Sequence, residues 1–487
     1  MLRKIRITLA LLFFIGITLL FLDFTGVVGI YLGWMAKVQM LPAVLALNVG
    51  VIVALVLLTL LFGRIYCSVI CPLGVTQDFF AWLGSRFKKN RYRYHKPITW
   101  LRWAVLGVFV VMMVAGLNAL AAIIAPYSAY GRIASNLLQP VYVWINNVFA
   151  SIAESHDSYA FYSVEVRAAT WATLSVAAVT LAVVACLSLW RGRLWCNTVC
   201  PVGTVLGFVS RWSLFKPVID KSKCVDCNRC DRNCKAECIE PETRDIDRSR
   251  CVACMNCISK CKVGALKYKL AVGSRQQAAT EVDSSRRKFI VATAAVGTAM
   301  AVKAQEENID GGLAVIEDKV VPKRSVQLKP AGSGGLNQFT KHCTSCQLCV
   351  AECPNRVLRP SKELKNFMQP EMSFHDGYCR PECTRCSQVC PTGAIKKITA
   401  ADKTAISIGH AVVVEQNCLA AKGADCGHCF EVCPADAIKL VANPTTGYLI
   451  PSVDENRCLG CGKCEYLCPS RPLSAIYVEG REVHVNV

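Results

Sequence analysis

Acidic residues are scarce in this 487-residue chain, and the scarcity is local. Charged residues make up 18% of the sequence, with 35 Asp and Glu against 55 Lys and Arg. From Phe79 to Ala153 there is no acidic residue at all, while Arg86, Lys88, Lys89, Arg91, Arg93 and Lys96 crowd one short stretch. Basic residues packed between apolar runs are the signature of a cytoplasmic loop in a membrane protein. The net charge of +20 raises the question of nucleic acid, but no recognised binding motif accompanies it, so no nucleic-acid partner is expected. Haem is also lacking a place. No C-x-x-C-H motif occurs, and the long apolar runs contain no histidine, which excludes c-type attachment and argues against haem b. The scattered His95, His156, His342, His375, His410, His428 and His484 read as ordinary surface or loop residues. A Gly-rich dinucleotide fingerprint is missing too, which argues against direct NADH oxidation.

What the chain does have is apolar length and cysteine. Hydrophobic residues reach 53% and the mean hydropathy is +0.34, concentrated in runs long enough to span a bilayer. Four spans are expected: Ile7 to Leu22 behind a basic start (Arg3, Lys4, Arg6), Leu41 to Phe62, Ile98 to Ala125, and Ala168 to Trp190. Asp23, at the end of the first, reads as a solvated span terminus. The basic start and the basic loop predict both ends of this bundle on the cytoplasmic side. GRIYCSVICPLG (Gly63–Gly74) follows the second span and GRLWCNTVCPVG (Gly192–Gly203) the fourth. Each half is thus two spans and a C-x3-C-P loop, an internal duplication.

The 30 cysteines set the chemistry. A disulfide scaffold is short and lacks long apolar helices. Here cysteines recur at two- and three-residue intervals, so that one loop can present several thiolates to one inorganic core. The first soluble segment reads C-x2-C-x2-C-x3-C twice, as Cys224, Cys227, Cys230, Cys234 and Cys251, Cys254, Cys257, Cys261. In two-cluster ferredoxins the fourth cysteine of each run ligates the other cluster. Cys261 is therefore grouped with Cys224, Cys227 and Cys230, and Cys234 with Cys251, Cys254 and Cys257; Cys238 is an alternative to Cys234. Four-cysteine zinc sites more often pair two C-x2-C knuckles. Four further runs end the chain: Cys343, Cys346, Cys349, Cys353; Cys379, Cys383, Cys386, Cys390; Cys418, Cys426, Cys429, Cys433; and Cys458, Cys461, Cys464, Cys468, each last cysteine preceding a proline. Spacing leaves their pairing open, in order or nested.

These 24 cysteines suffice for six [4Fe–4S] clusters. Cys67, Cys71, Cys196 and Cys200 of the C-x3-C-P repeats remain, as either an additional iron–sulfur or metal centre, a redox-active thiol pair, or structural cysteines. Cys186, inside the fourth span, reads as a small core residue.

The expected organisation is a four-span membrane domain over 1–215, a cytoplasmic two-cluster domain over 216–270, a linker over 271–321 and a four-cluster domain over 322–487. The fold class is an all-α membrane bundle with two α+β bacterial-ferredoxin-like domains. The linker holds Phe289 to Val302, apolar for only 14 residues, behind Ser284-Ser285-Arg286-Arg287-Lys288-Phe289-Ile290. That stretch resembles a twin-arginine export signal, either cleaved after Ala304 or retained as a fifth span.

On these motifs, residues 1 to about 270 resemble the NapH-type membrane quinol dehydrogenases, and the remainder resembles their exported NapG-type ferredoxin partners. The membrane half is also similar to the NosR and CcoG types. The resemblance implies a multi-pass protein of the bacterial inner membrane with its C-terminal domain in the periplasm. It implies quinol oxidation, with electrons passing from the quinone pool through the clusters to a periplasmic reductase, of nitrate-reductase type, or to a cytochrome acceptor, with a homo-oligomer or larger complex as the working unit. Electron donation for copper reduction in a partner enzyme is one alternative, and a plain electron-transfer subunit with the quinone site elsewhere is another. The expected quinol cleft adjoins Arg64 and Arg193, which have a second reading as positive-inside anchors. Cys67, Cys71, Cys196 and Cys200 are its nearest electron acceptors.

Overall fold

The computed structural model describes residues 2–87, 92–158, 161–165, 170–270, 318–443 and 446–487. The twin-arginine-like stretch, the short apolar run after it and the Ala304 cleavage site lie outside them.

Two helices are long and apolar enough to cross a membrane, Leu2–Leu22 and Trp171–Arg191, each of 21 residues. The other two apolar runs are broken. The run from Leu41 divides into Met40–Leu45 and Val49–Phe62, where Leu47 takes a left-handed φ of 51° and the Asn48 side chain accepts from Val51 N–H. The run from Ile98 divides into Thr99–Val114 and Asn118–Ile124 around Gly116, at φ 76°. Uninterrupted second and third spans are therefore not what forms. Val49–Phe62 and Thr99–Val114 are apolar helices of 14 and 16 residues.

The outer faces of all four helices are apolar and exposed, among them Leu12, Ile15, Val53, Leu57, Val111, Val114, Val179 and Trp190. So much exposed apolar surface needs a cover that water does not provide. Cys186 belongs to this outer face and is exposed, not core. The buried positions of its helix are Thr173, Ala177, Val184 and Ser188, and residue 186 points away from that stripe. Asp23 is corrected as well: it is buried, and its carboxylate accepts from Thr25 N–H, Thr25 Oγ1 and Val28 N–H. It ties down the turn that ends the first helix.

The soluble parts are small α+β units. In the first, the antiparallel strand pair Phe215–Ile219 and Leu266–Leu270 brackets two short helices, Arg229–Arg232 and Asn256–Lys260. The C-terminal part has three antiparallel pairs, Leu358–Pro360 with Pro370–Met372, Ile406–Val413 with Ile476–Asn486, and Ile438–Ala442 with Leu449–Val453. The second of them brackets two short helices in the same way, His428–Glu431 and Lys463–Leu467.

One hydrophobic core runs through three regions. It joins Cys234, Cys238 and Cys254 of the first soluble unit, Cys67, Cys71, Cys200 and Tyr66 of the bundle, and Cys346, Leu348 and Val389 of the C-terminal part. The helix Leu2–Leu22 indicates the axis. Near its start Arg6 donates to Ser68 C=O and pairs with Asp78. Near its end Phe21 packs on Tyr127, and beyond it Arg385 of the C-terminal part donates to Phe24 C=O. The two soluble units thus sit at opposite ends of the bundle.

Candidate iron–sulfur centres

The regular C-x2-C-x2-C loops share a backbone device. The residues two and four places after the first cysteine take left-handed φ: Asp226 and Asn228, Ala253 and Met255, Ser345 and Gln347, Gly460 and Gly462. Six of these eight are not glycine. Such conformations cost of order 1–3 kcal/mol each and persist where the surroundings over-determine them. Here they wrap the loop so that three thiols converge. The two runs with stretched first intervals, at Cys379 and Cys418, lack the paired residues.

Four concave cages are lined by cysteines from two runs each. One holds Cys224, Cys227, Cys230 and Cys261. A second holds Cys251, Cys254 and Cys257 with both Cys234 and Cys238. A third holds Cys379, Cys383 and Cys386 with Cys353, and a fourth Cys458, Cys461 and Cys464 with Cys433. Electrostatic reach groups the remainder the same way: Cys390 acts on Cys343, Cys346 and Cys349, and Cys468 acts on Cys429 beside Cys418 and Cys426. Neighbouring runs therefore exchange their fourth cysteine, first with second and third with fourth. Spacing alone left this open, because the loops' return path is a tertiary property. Cys379 N–H donates to Cys461 C=O at 3.0 Å, which sets the two halves of the C-terminal part side by side.

The donor set fits a four-iron cluster. Burial pushes the Cys230, Cys429 and Cys461 thiols up to about 11, so bare thiols here stay protonated at neutral pH. A cationic core is what makes them thiolates. Backbone N–H groups already point at sulfur, from Ser345 to Cys343, Ile395 to Cys390, Ala437 to Cys433 and Ala475 to Cys468, at 3.3–3.4 Å. Hydrogen bonds to the sulfurs are one lever on cluster potential. Cys234 and Cys238 lie 3.5 Å apart at sulfur, so the second cage has five thiols for four places.

The C-x3-C-P repeats build a seventh site by exchange across a pseudo-twofold axis. All four thiols, Cys67, Cys71, Cys196 and Cys200, are buried, and Cys67, Cys71 and Cys196 all lie within electrostatic reach of Cys200. Arg64 of the first repeat reaches Cys196 C=O of the second at 3.0 Å, and Arg193 of the second reaches Cys67 C=O of the first at 2.7 Å. Their guanidinium groups also lie 3.8 Å and 3.9 Å from Cys67 Sγ and Cys196 Sγ. The closing glycines permit this. A Cβ on Gly74 would meet Cys67 C=O and Arg193, and one on Gly203 would meet Cys196 C=O and Arg64. Both arginines are fully buried and held by protein acceptors, Arg64 by Asn197 and Ser249 C=O, Arg193 by Asp78. That is neither a surface anchor nor the wall of an open cleft. It places two positive charges against four sulfurs, where a thiolate-ligated cluster is net negative.

Sequence reasoning missed Asp78. Its carboxylate receives Arg6, Arg193 and Lys235 at 2.6–2.8 Å. Burial raises its pKa, but the three cations outweigh that and hold it well below the usual carboxylate range. A lone acid just before a long acid-free stretch was the only available signal. Beyond this site Tyr66 lies within electrostatic reach of Cys67, Cys71 and Cys200. Tyr127 lies within reach of Tyr66 on one side and of Cys346 and Cys390 on the other. Two buried rings thus occupy the interval between the bundle site and the first C-terminal cage.

Comparison with known proteins agrees with this chemistry. Residues 44–91 and 172–219, the two C-x3-C-P segments, match a family described as 4Fe-4S binding domain. Residues 342–394 and 422–471 match a 4Fe-4S dicluster domain, and 244–267 another 4Fe-4S binding domain. The chain is 30% identical over 184 residues to the methylamine utilization ferredoxin-type protein MauM of Methylobacillus flagellatus, covering 36% of this chain and 77% of that one. It is 32% identical over 164 residues to the ferredoxin-type protein NapF of Escherichia coli K12, covering 32% and 88%. The ferredoxin-type protein NapG of the same strain is 32% identical over 204 residues, covering 38% and 81%. No solved structure matches.

Proposed function

Because the chain belongs to the ferredoxin-type 4Fe–4S proteins, we propose that it is a membrane-bound electron carrier that passes electrons from quinol through its cysteine cages to a periplasmic reductase or cytochrome. The observation that carries this reading is the single core that joins cysteine cages at both ends of an apolar-surfaced bundle to a buried four-cysteine site between them. In this reading residues 1–215 are a multi-pass inner-membrane domain, 216–270 lie in the cytoplasm and 322–487 in the periplasm.

Cys224, Cys227, Cys230 and Cys261 hold one cluster, and Cys251, Cys254 and Cys257 with Cys234 or Cys238 a second. The C-terminal sets are Cys343, Cys346, Cys349, Cys390; Cys353, Cys379, Cys383, Cys386; Cys433, Cys458, Cys461, Cys464; and Cys418, Cys426, Cys429, Cys468. Cys67, Cys71, Cys196 and Cys200 hold a seventh. When bound, these groups supply one-electron carriage. The protein's own part is spacing, exclusion of water and countercharge. Arg64 and Arg193 offset the negative charge of the buried site in a low-dielectric setting, where an unpaired charge is costly. Tyr66 and Tyr127 fill the interval beyond it with aromatic density in place of a void.

The test uses the full chain, purified anaerobically and returned to lipid. Iron and sulfide equivalent to seven four-iron clusters are expected, and a menaquinol analogue should bleach their visible absorbance. Changing Cys67 and Cys196 to Ser together should remove one cluster's worth of iron and stop bleaching from passing the bundle. Bleaching by dithionite with none by quinol would move the quinone site to another subunit.

A further inference from the structure

A cavity of about 370 Å³ lies where the bundle meets the C-terminal part. That volume is in the range of small-molecule sites. Its walls are the turn after the first helix (Phe24, Thr25), the start of the helix Gln139–Glu154 and the segment Ala351–Arg356. Cys353, the fourth ligand of the cage with Cys379, Cys383 and Cys386, is itself part of the wall. The Oε1 atoms of Gln139 and Glu352, both on residues more than nine-tenths buried, have no hydrogen-bond partner. The rim is charged: Arg356 pairs with Glu165, and Arg385 donates to Phe24 C=O at 3.2 Å.

The helix Gln139–Glu154 continues from the cavity with one face exposed and apolar, carrying Val141, Trp144, Ile145, Val148, Phe149 and Ile152. An exposed apolar face with an aromatic near one end suits the level of lipid headgroups. A ligand with a polar ring and a long isoprenoid tail fits this combination. The ring meets buried acceptors beside a cluster ligand, and the tail follows an apolar helix into the bilayer.

We propose that this cavity is the quinol site, which rests on the quinol reading given above. It lies at the end of the bundle opposite to Arg64 and Arg193, whose guanidinium groups are closed off by protein partners. The quinol hydroxyls donate to the side-chain carbonyl of Gln139 and the carboxylate of Glu352, which Arg385 also faces. On oxidation to quinone each quinol loses two electrons, one at a time, to the one-electron iron–sulfur carrier held by Cys353, Cys379, Cys383 and Cys386. Its two protons leave to water at the rim beside Glu165 and Arg356. The protons therefore emerge on the side of the C-terminal part, and electrons enter that part without first crossing the bundle.

The experiment is photolabelling of the full chain in lipid nanodiscs with an azido-quinone, followed by peptide mapping and, in parallel, bleaching by a menaquinol analogue. Label competed by excess quinone is expected on residues 139–143, 162–165 or 352–356. Val143→Phe, which fills the cavity, should weaken quinone binding by about tenfold with iron content unchanged. Gln139→Leu, a milder change that removes one acceptor, should do the same in part and covers a folding failure of the first variant. Competed label on residues 64–78 or 193–204 with normal quinol bleaching would overturn this site and leave the quinol reading standing. Absence of both competed label and quinol bleaching, with dithionite still effective, would overturn the two together.

Discussion

The two soluble units contact the bundle by different chemistry. The small unit, residues 216–270, is held by charge: Lys235 on Asp78, Glu237 on Arg191, and the Ser249 carbonyl between Arg64 and Arg102. Gly192, at φ 64°, lets Lys235 C=O approach to where a Cβ would stand, and Arg193 N–H donates to that carbonyl at 2.8 Å. The large unit docks through neutral buried groups, Asn136 to Gln347, Gln139 to Ala351 C=O and Asn118 to Lys341 C=O, around an apolar contact that includes Leu348 and Val389, with charged contacts at the rim from Arg356 to Glu165 and from Arg385 to Phe24 C=O. Neutral hydrogen bonds are worth about 1 kcal/mol net. A buried charge stripped of its partner costs several times that. The small unit is thus part of the buried site, and the large one is a docked neighbour.

The sharpest way to break this contrast is Asp78→Asn. The change keeps the shape but leaves Arg6, Arg193 and Lys235 without their counter-ion, at a cost of about 3–5 kcal/mol. Thermal unfolding should show the loss, and limited proteolysis should free the 216–270 unit while the C-terminal cages keep their iron. An unchanged unfolding midpoint would mean that the three cations find other partners.

Acid should act on the other end. The small unit contains no histidine, whereas His484 sits in the strand Ile476–Asn486, where burial pushes its pKa from 6.5 down to about 4. Below pH 6.5 the unfolded chain binds this proton and the folded chain does not, so stability is lost as pH falls from 6.5 to 4, by up to about 3 kcal/mol. Hydrogen exchange in the Ile406–Val413 and Ile476–Asn486 pair should accelerate over that window, and His484→Leu should flatten the response. Equal acceleration in the variant would assign the acid sensitivity to carboxylates.

The sequence displayed the cysteine cages almost completely, because ligand spacing is a local property. Even the exchange of the fourth cysteine followed in the first unit from Cys234 and Cys261. What it hid is tertiary. Leu47 and Gly116 break runs whose composition looks continuous, since one left-handed residue leaves hydropathy unchanged. Arg64 and Arg193 looked like the wall of a quinol cleft or anchors at span ends, and only the folded repeat brings each onto the other's cysteine loop. Asp78 meets cations 72, 115 and 157 residues away, a convergence no window of sequence contains.

The smallest expected effect tests the docked end. Asn136 Nδ2 donates to Gln347 Oε1 at 2.7 Å in a buried setting, and Gln347 is one of the left-handed residues that shape the Cys343–Cys349 loop. Asn136→Ala removes the donor and leaves Gln347 Oε1 buried without that partner, at a cost of about 1–3 kcal/mol. Unlike the loss of Asp78, this leaves no bare charge, and the apolar contact at Leu348 and Val389 stays in place. The chain should therefore keep its full iron content and its unfolding midpoint within a few degrees. The change should appear locally, as faster amide exchange at Gln347–Ala351 and an altered electron paramagnetic resonance signal from the cage that includes Cys346. Exchange as slow as in the unaltered protein would show that the Asn136–Gln347 bond contributes nothing to holding this loop. Release of that unit on proteolysis would show instead that its docking is as dependent on single polar groups as the charged end, and the contrast between the two ends would fall.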